Sequence, residues 1–146
     1  MSGRVEVIAF PGTSGSFSGV AAQEAFPNGR CAGFPTFPEA AKAVIEGLAD
    51  YALLPVENSF AGAVLPTYSL LEKLPLHIVG ETMKAVRHNL LGVPGATLAG
   101  IRRIASHPQA IAQCDMFLQG LKGVQITPSE NTAISARDVA AQGDLS

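Results

Sequence analysis

Three short apolar runs, at residues 5–10, 31–34 and 50–56, alternate with two segments whose apolar residues recur at helical spacing. Strand, helix, strand, helix, strand with short connections points to a parallel sheet with right-handed crossovers. The third run, from Tyr51 to Val56, lacks polar alternation and is expected to be a strand covered on both faces. It stops at Glu57-Asn58-Ser59, which puts a carboxylate, a carboxamide and a hydroxyl at the carboxyl end of a parallel strand. In open α/β sheets that is where ligands bind. Asn and Ser are also ordinary cap residues, so a plain strand-to-helix turn accounts for the same triplet.

The first run ends at Pro11-Gly12 and is followed by a Gly/Ser loop, Thr13 to Ser18, that feeds a helix over residues 19–26. Unpaired N–H groups and the positive dipole end at such a junction suit an anion. The lysine of a Walker loop is absent, and a capping turn is an equal account. Thr36-Phe37-Pro38-Glu39 has capping-box spacing, with Ala40, Ala41, Val44, Ile45 and Leu48 on the apolar face behind it. Residues 66–74 form a short helix with Leu70, Leu71 and Leu74 inward. The mostly extended stretch 77–93 exceeds one average strand, and is expected to leave the first sheet and enter a second. Residues 92–100 are a loop with a short helical piece. A strand at 101–105 meets Ser106-His107-Pro108-Gln109, where Ser106 or His107 caps a helix that buries Ala110, Ile111, Cys114, Phe117 and Leu118. A strand at 124–127 and a helix with Ala133, Ile134, Ala136, Val139 and Ala140 on its apolar side follow, and the pattern calls for another strand where the sequence stops. The division is a first α/β lobe over 1–80, then a hinge and second α/β lobe over 81–146.

A net charge of -2 without basic runs offers no attraction to nucleic acid or an anionic membrane. No apolar stretch is long enough to span a bilayer, and the opening Met-Ser-Gly-Arg-Val-Glu-Val lacks an apolar signal core, so the expected location is cytoplasmic. Cys31 and Cys114 are expected to be reduced core thiols. No GxSxG, no GxGxxG and no metal-ligand spacing occurs. His77 reads as structural, His88 as either a strand-face or an interlobe residue, and His107 as either a cap or a ligand contact. Polar clusters at Gly15 to Ser18, Glu57 to Ser59, Ser106 to Gln109 and Asn131-Thr132 all fall at strand-to-helix junctions. Helix starts of this kind bind carboxylates with few basic side chains, and Arg87 alone among the basic residues lies inside a polar motif.

The clusters occur in the order found in the catalytic domain of prephenate dehydratases and arogenate dehydratases, which this sequence resembles over nearly its whole length. The segments concerned are Ala9-Phe10-Pro11-Gly12-Thr13-Ser14-Gly15-Ser16-Phe17-Ser18, Leu54-Pro55-Val56-Glu57-Asn58-Ser59 with Gly62, His77-Ile78-Val79-Gly80-Glu81, Arg87-His88-Asn89-Leu90-Leu91, Ser106-His107-Pro108-Gln109-Ala110-Ile111-Ala112-Gln113-Cys114 and Asn131-Thr132-Ala133. The resemblance implies an α/β fold of two lobes like a type II periplasmic binding protein, with mainly parallel sheets, flanking helices and the active site between the lobes. It also implies a further strand, a return to the first lobe, a Thr-Arg-Phe motif and often a regulatory phenylalanine-binding domain. None of these is found in these 146 residues. The expectation is therefore a catalytic domain lacking its C-terminal part. Asn131 in place of an acid or serine, Ile134-Ser135, and Ala63 in place of a serine are smaller departures.

The implied reaction expels CO2 and water from prephenate and leaves phenylpyruvate, a step of L-phenylalanine biosynthesis. It calls for no metal and no organic cofactor. A donor must meet the departing hydroxyl, and further donors fix the side-chain carboxylate. Asn58 and Ser59 are assigned to catalysis. Ser16, Phe17, Ser18, Gly62, Ser106, His107, Gln109, Thr132 and Ala133 are assigned to substrate binding, with Ala133 offering its backbone N–H. Glu57 braces the turn. The partner is a small molecule, prephenate or arogenate, and a homodimer fits the family. The alternatives are an arogenate dehydratase, a carboxylate-binding module without catalysis, or an inactive fragment of the same fold.

Overall fold

A computed structural model describes residues 4–143. By its contacts the chain forms two compact units, Met1–Ala85 and Val86–Ser146. The first contains β1 (Val7–Pro11), α1 (Phe17–Ala25), β2 (Arg30–Phe34), α2 (Phe37–Ile45), β3 (Tyr51–Ala52), β4 (Glu57–Asn58), β5 (Gly62–Ala63) and α3 (Leu65–Lys73). The second contains β6 (Arg103–Ser106), α4 (Pro108–Gln113), α5 (Asp115–Gln119), β7 (Gln125–Pro128) and α6 (Thr132–Gln142).

In the first unit β1 is the central strand of a parallel sheet, in the order β2-β1-β3. A buried central strand reads as a continuous apolar run, and Ile8, Ala9 and Phe10 are all buried. One core cluster joins Ile8 and Phe10 to Ala22 of α1. The other joins Ala9 to Ala40, Ala43 and Ala49. Thr36 caps α2 as expected: Glu39 N–H donates to Thr36 Oγ1 at 3.3 Å, and the Glu39 carboxylate accepts from the Thr36 hydroxyl at 2.7 Å where a full capping box would use the Thr36 N–H. The face of α2 differs from expectation, because alanines carry it while Ile45 and Leu48 are exposed. Leu48 lies beyond the helix, past Gly47, whose φ of 70° turns the chain. In α3 the buried residue is Thr67, with Leu70 and Leu71 only half-buried.

The third run departs most from its expected form. Its ladder with β1 covers Tyr51 and Ala52, and the Leu53 N–H still donates to the Ala9 carbonyl at 2.8 Å. Pro55 then removes a donor, and a chain without that N–H cannot go on pairing as a central strand. Val56 is exposed. Its carbonyl accepts from Val64 N–H at 2.9 Å, so the chain folds back as the antiparallel pair β4–β5. Glu57-Asn58-Ser59 is therefore the start of a tight reversal and not a strand-to-helix turn.

The stretch 77–93 joins no sheet among the described residues. An extended chain becomes a strand only with a neighbouring backbone to pair with, and here Ile78 and Val79 are each 76% exposed. Lys84, midway along it, pairs with Glu24 of α1 at 2.5 Å. Residues 92–100 contain turns and no helix.

In the second unit β6 and β7 pair in parallel, from Arg103↔Gln125 to Ser106↔Pro128. The helix expected after Ser106 is two short helices that meet at Cys114; Ala110 and Leu118 are buried and Phe117 is exposed. In α6 the buried residue is Ser135, while Ile134, Ala136 and Val139 are half-buried and Ala140 is exposed. Cys31 and Cys114 are both free and half-buried. Among the described residues no helix is long and apolar enough to cross a membrane.

Candidate functional site

Parallel pairing decides which turns meet. β1 and β3 run side by side, so the loop after β1 and the turn after β3 leave the sheet at the same, carboxyl end. Ser16 caps α1: its Oγ accepts from Gly19 N–H at 3.2 Å, and the residue is only 7% exposed. The helix begins at Phe17, two residues earlier than expected, which puts half-buried Phe17 and Ser18 in its first turn. Gly19 packs closely on Phe10: a Cβ there would sit 3.0 Å from the Phe10 ring, which would have to give by a few tenths of an ångström.

Asn58 is half-buried, and its Oδ1 accepts from the N–H groups of Phe60 at 2.9 Å and Ala61 at 3.1 Å. The carboxamide is thereby oriented by its own turn, with the acceptor end held inside it. Ser59 is exposed at the tip. Gly62 pairs with Asn58 and has φ 76°, a conformation in which a side chain is strained.

Thr67 holds this turn from beneath, and the sequence reading missed it. It is 0% exposed, and its hydroxyl donates to the Pro55 carbonyl at 2.7 Å. Its N–H donates to the Val64 carbonyl, and Val64 N–H to the Val56 carbonyl, both at 2.9 Å. These bonds link the floor of α3 to the residues just before Asn58. A threonine in a run of leucines, directly after Val64-Leu65-Pro66, was the one available signal.

The second unit repeats the logic. β6 and β7 are parallel, so Ser106-His107 and the turn before α6 leave at one end, joined by a bond from Ser129 N–H to the Ser106 carbonyl at 2.8 Å. His107 caps α4, with Nδ1 accepting from Gln109 N–H at 3.2 Å. Of the two roles open to His107, capping is the observed one. Gln109 is exposed in the first turn. Asn131 caps α6 and accepts from Ala133 N–H at 2.8 Å. The backbone donor assigned to Ala133 is therefore already engaged by the cap, and Thr132 beside it is half-buried. His88 bonds to Gln113. Among the described residues no group of His, Cys, Asp or Glu is arranged to hold a metal ion.

These features define an α/β protein whose parallel strands end in polar, self-braced turns, the usual place for a small polar ligand in such sheets. A family model described as prephenate dehydratase matches residues 8–146, and the chain belongs to that family. It is 41% identical over 133 residues to arogenate dehydratase/prephenate dehydratase 2, chloroplastic, of Arabidopsis thaliana, covering 91% of this chain and 35% of that protein. It is 45% identical over 107 residues to a bifunctional N-acyl-homoserine lactone acylase/prephenate dehydratase of Komagataeibacter europaeus, covering 73% of this chain and 38% of that one. Among solved structures, GqqA, described as a novel type of quorum quenching acylase, matches with TM-score 0.82 and 40% identity over 95% of this chain and 50% of its own. A prephenate dehydratase from Arthrobacter aurescens in complex with L-Phe matches with TM-score 0.69 and 26% identity over 91% of this chain and 45% of its own. The chain thus spans about a third of the length of the curated relatives it matches.

One expectation is corrected by these comparisons. A cytoplasmic location does not stand, because several plant relatives at about this identity are chloroplastic proteins.

Proposed function

We propose that the chain acts in the decarboxylating dehydration of prephenate to phenylpyruvate, a step toward L-phenylalanine, with arogenate as the alternative substrate. In that reaction the bond from the ring to its carboxylate breaks and CO2 leaves. The electron pair completes the aromatic ring, the ring carbon–oxygen bond breaks, and the departing hydroxide takes a proton to leave as water. The protein supplies a donor at that oxygen and holds the side-chain carboxylate. Asn58 and Ser59 are the donors at the hydroxyl in this reading, and Ser18 with the start of α1 holds a carboxylate. Ser106, His107, Gln109 and Thr132 are the contacts assigned to the second unit. The 146 residues contain no Thr-Arg-Phe, so the family's threonine and arginine have no counterpart in this assignment.

The observation that supports the reading most is the Asn58 turn, its carboxamide oriented by two backbone N–H groups at the end of the sheet where the α1 loop also emerges. The test follows phenylpyruvate absorbance with prephenate and, in parallel, phenylalanine release with arogenate, whose amino group is retained, for the wild-type chain and Asn58→Asp. Aspartate keeps an acceptor for Phe60 and Ala61 and deletes the amide donor. Turnover should fall on the order of 100-fold or more; unchanged turnover would remove Asn58 from the chemistry. Binding of prephenate without any turnover would favour the carboxylate-binding module.

A second reading is cleavage of an N-acyl amide. It is favoured by the two matches described as acylases. Incubation of the same preparation with an N-acyl-homoserine lactone, read as release of the free acid, separates it from the first.

A further inference from the structure

We propose that Ser135 is a positioning residue that, paired with Ser129, locks the two polar turns of the second unit into one arrangement; this rests on the reading that those turns meet substrate. Ser135 is 7% exposed inside α6, one turn before Val139 of the expected apolar side. Its Oγ lies 2.5 Å from the Ser129 Oγ and also donates to the Asn131 carbonyl at 3.1 Å. Ser129 N–H donates in turn to the Ser106 carbonyl at 2.8 Å. Asn131 Oδ1 accepts from Ala133 N–H at 2.8 Å.

The path is continuous. It runs from the carboxyl end of β6, where His107 starts α4, through Ser129 and Ser135 to the cap of α6, where Thr132 sits. The Ser135 hydroxyl is buried, so losing Ser129 leaves it the Asn131 carbonyl alone, and losing Ser135 removes both bonds at once. The two turns are therefore held as one piece, and the hydroxyls of Thr132 and Ser106 keep a fixed separation before any ligand arrives. Pre-set groups of this kind lower the ordering cost of binding.

The experiment uses Ser135→Ala, Ser129→Ala and the double variant in the 146-residue chain. Amide hydrogen exchange is read at Ser129 and Ala133, the Leu53 amide of the first unit serves as control, and prephenate affinity is measured well below the melting temperature. Each single variant should speed exchange at Ser129 and Ala133 about five- to tenfold, the factor that one lost hydrogen bond represents. The Leu53 amide should not change. Prephenate affinity should weaken by a similar factor in folded protein, and the double variant should be no worse than Ser135→Ala, which already removes the shared bond. Unchanged exchange at Ser129 and Ala133 in Ser135→Ala, or additive effects in the double variant, would overturn the proposal. Wild-type protein that binds no prephenate would overturn the functional reading instead, and the exchange data would still decide the lock. Ser129→Ala, at a half-buried position, keeps the test open should Ser135→Ala fold poorly.

Discussion

Replacing Thr67 with valine keeps the shape of a fully buried side chain and deletes its one hydroxyl. The Pro55 carbonyl, on a half-buried residue, then loses the donor that the fully buried Thr67 supplied at 2.7 Å. Leaving such a group unsatisfied costs about 1–3 kcal/mol. In a unit of this size each kcal/mol lowers the melting temperature by roughly 4–8 °C. Thr67→Ser keeps the donor and loses a methyl group, worth about 0.8 kcal/mol, so it should rank between wild type and Thr67→Val. The polar loss should also propagate along the hydrogen bonds above it. Amide exchange at Val64, Phe60 and Ala61 should quicken in Thr67→Val, while Phe26 N–H, bonded to Ala22 within α1, stays protected. Thermal unfolding and exchange of the three chains form the assay. Thr67→Val as stable as wild type, or more stable than Thr67→Ser, would refute the claim that this hydroxyl holds the turn.

Gly33→Ala should destabilise the first unit by about 1–3 kcal/mol in denaturant titration, because a Cβ there would lie 2.4 Å from the Gly12 carbonyl, which belongs to backbone and opens the loop toward Ser16. Thr36→Ala removes both bonds of the α2 cap, and should cost about 1 kcal/mol by the same measurement. Burial raises the pKa of the Cys31 thiol, so its alkylation by iodoacetamide should be slower than that of a free peptide thiol at pH 8 and should still be climbing with pH after the peptide's rate has levelled. The sign for stability follows: the folded state keeps its proton longer than the unfolded one, so Cys31 favours folding below the ordinary thiol pKa, and that contribution is lost as pH rises through the raised value.

What could be read without coordinates was what short-range chemistry dictates. The Thr36 to Glu39 cap, the parallel pairing of the first three strands and the polar end of β6 follow from local pattern and parallel topology. The reversal after Pro55 did not, because an apolar run looks alike whether it pairs with β1 throughout or leaves it, and the bond from Val64 to Val56 is set by tertiary placement. Ile78 and Val79 looked like strand residues for the same reason, since periodicity records preference and not the presence of a partner. Thr67 and Ser135 escaped because buried hydroxyls break the rule that apolar residues mark the inner face of a helix. Site residues such as Asn58 were legible by type and place. That their side chains cap their own turns, as Asn58, His107 and Asn131 do, needed geometry.

The most direct test of the central claim, that the braced Asn58 turn meets a prephenate-like acid, is a titration of prephenate into the chain followed at backbone amides. The account predicts saturable shifts at Phe60 and Ala61, whose N–H groups the Asn58 carboxamide holds, together with Phe17 and Ser18 at the start of α1. Saturation without movement at those four amides, or no saturable shift anywhere in the chain, would contradict it.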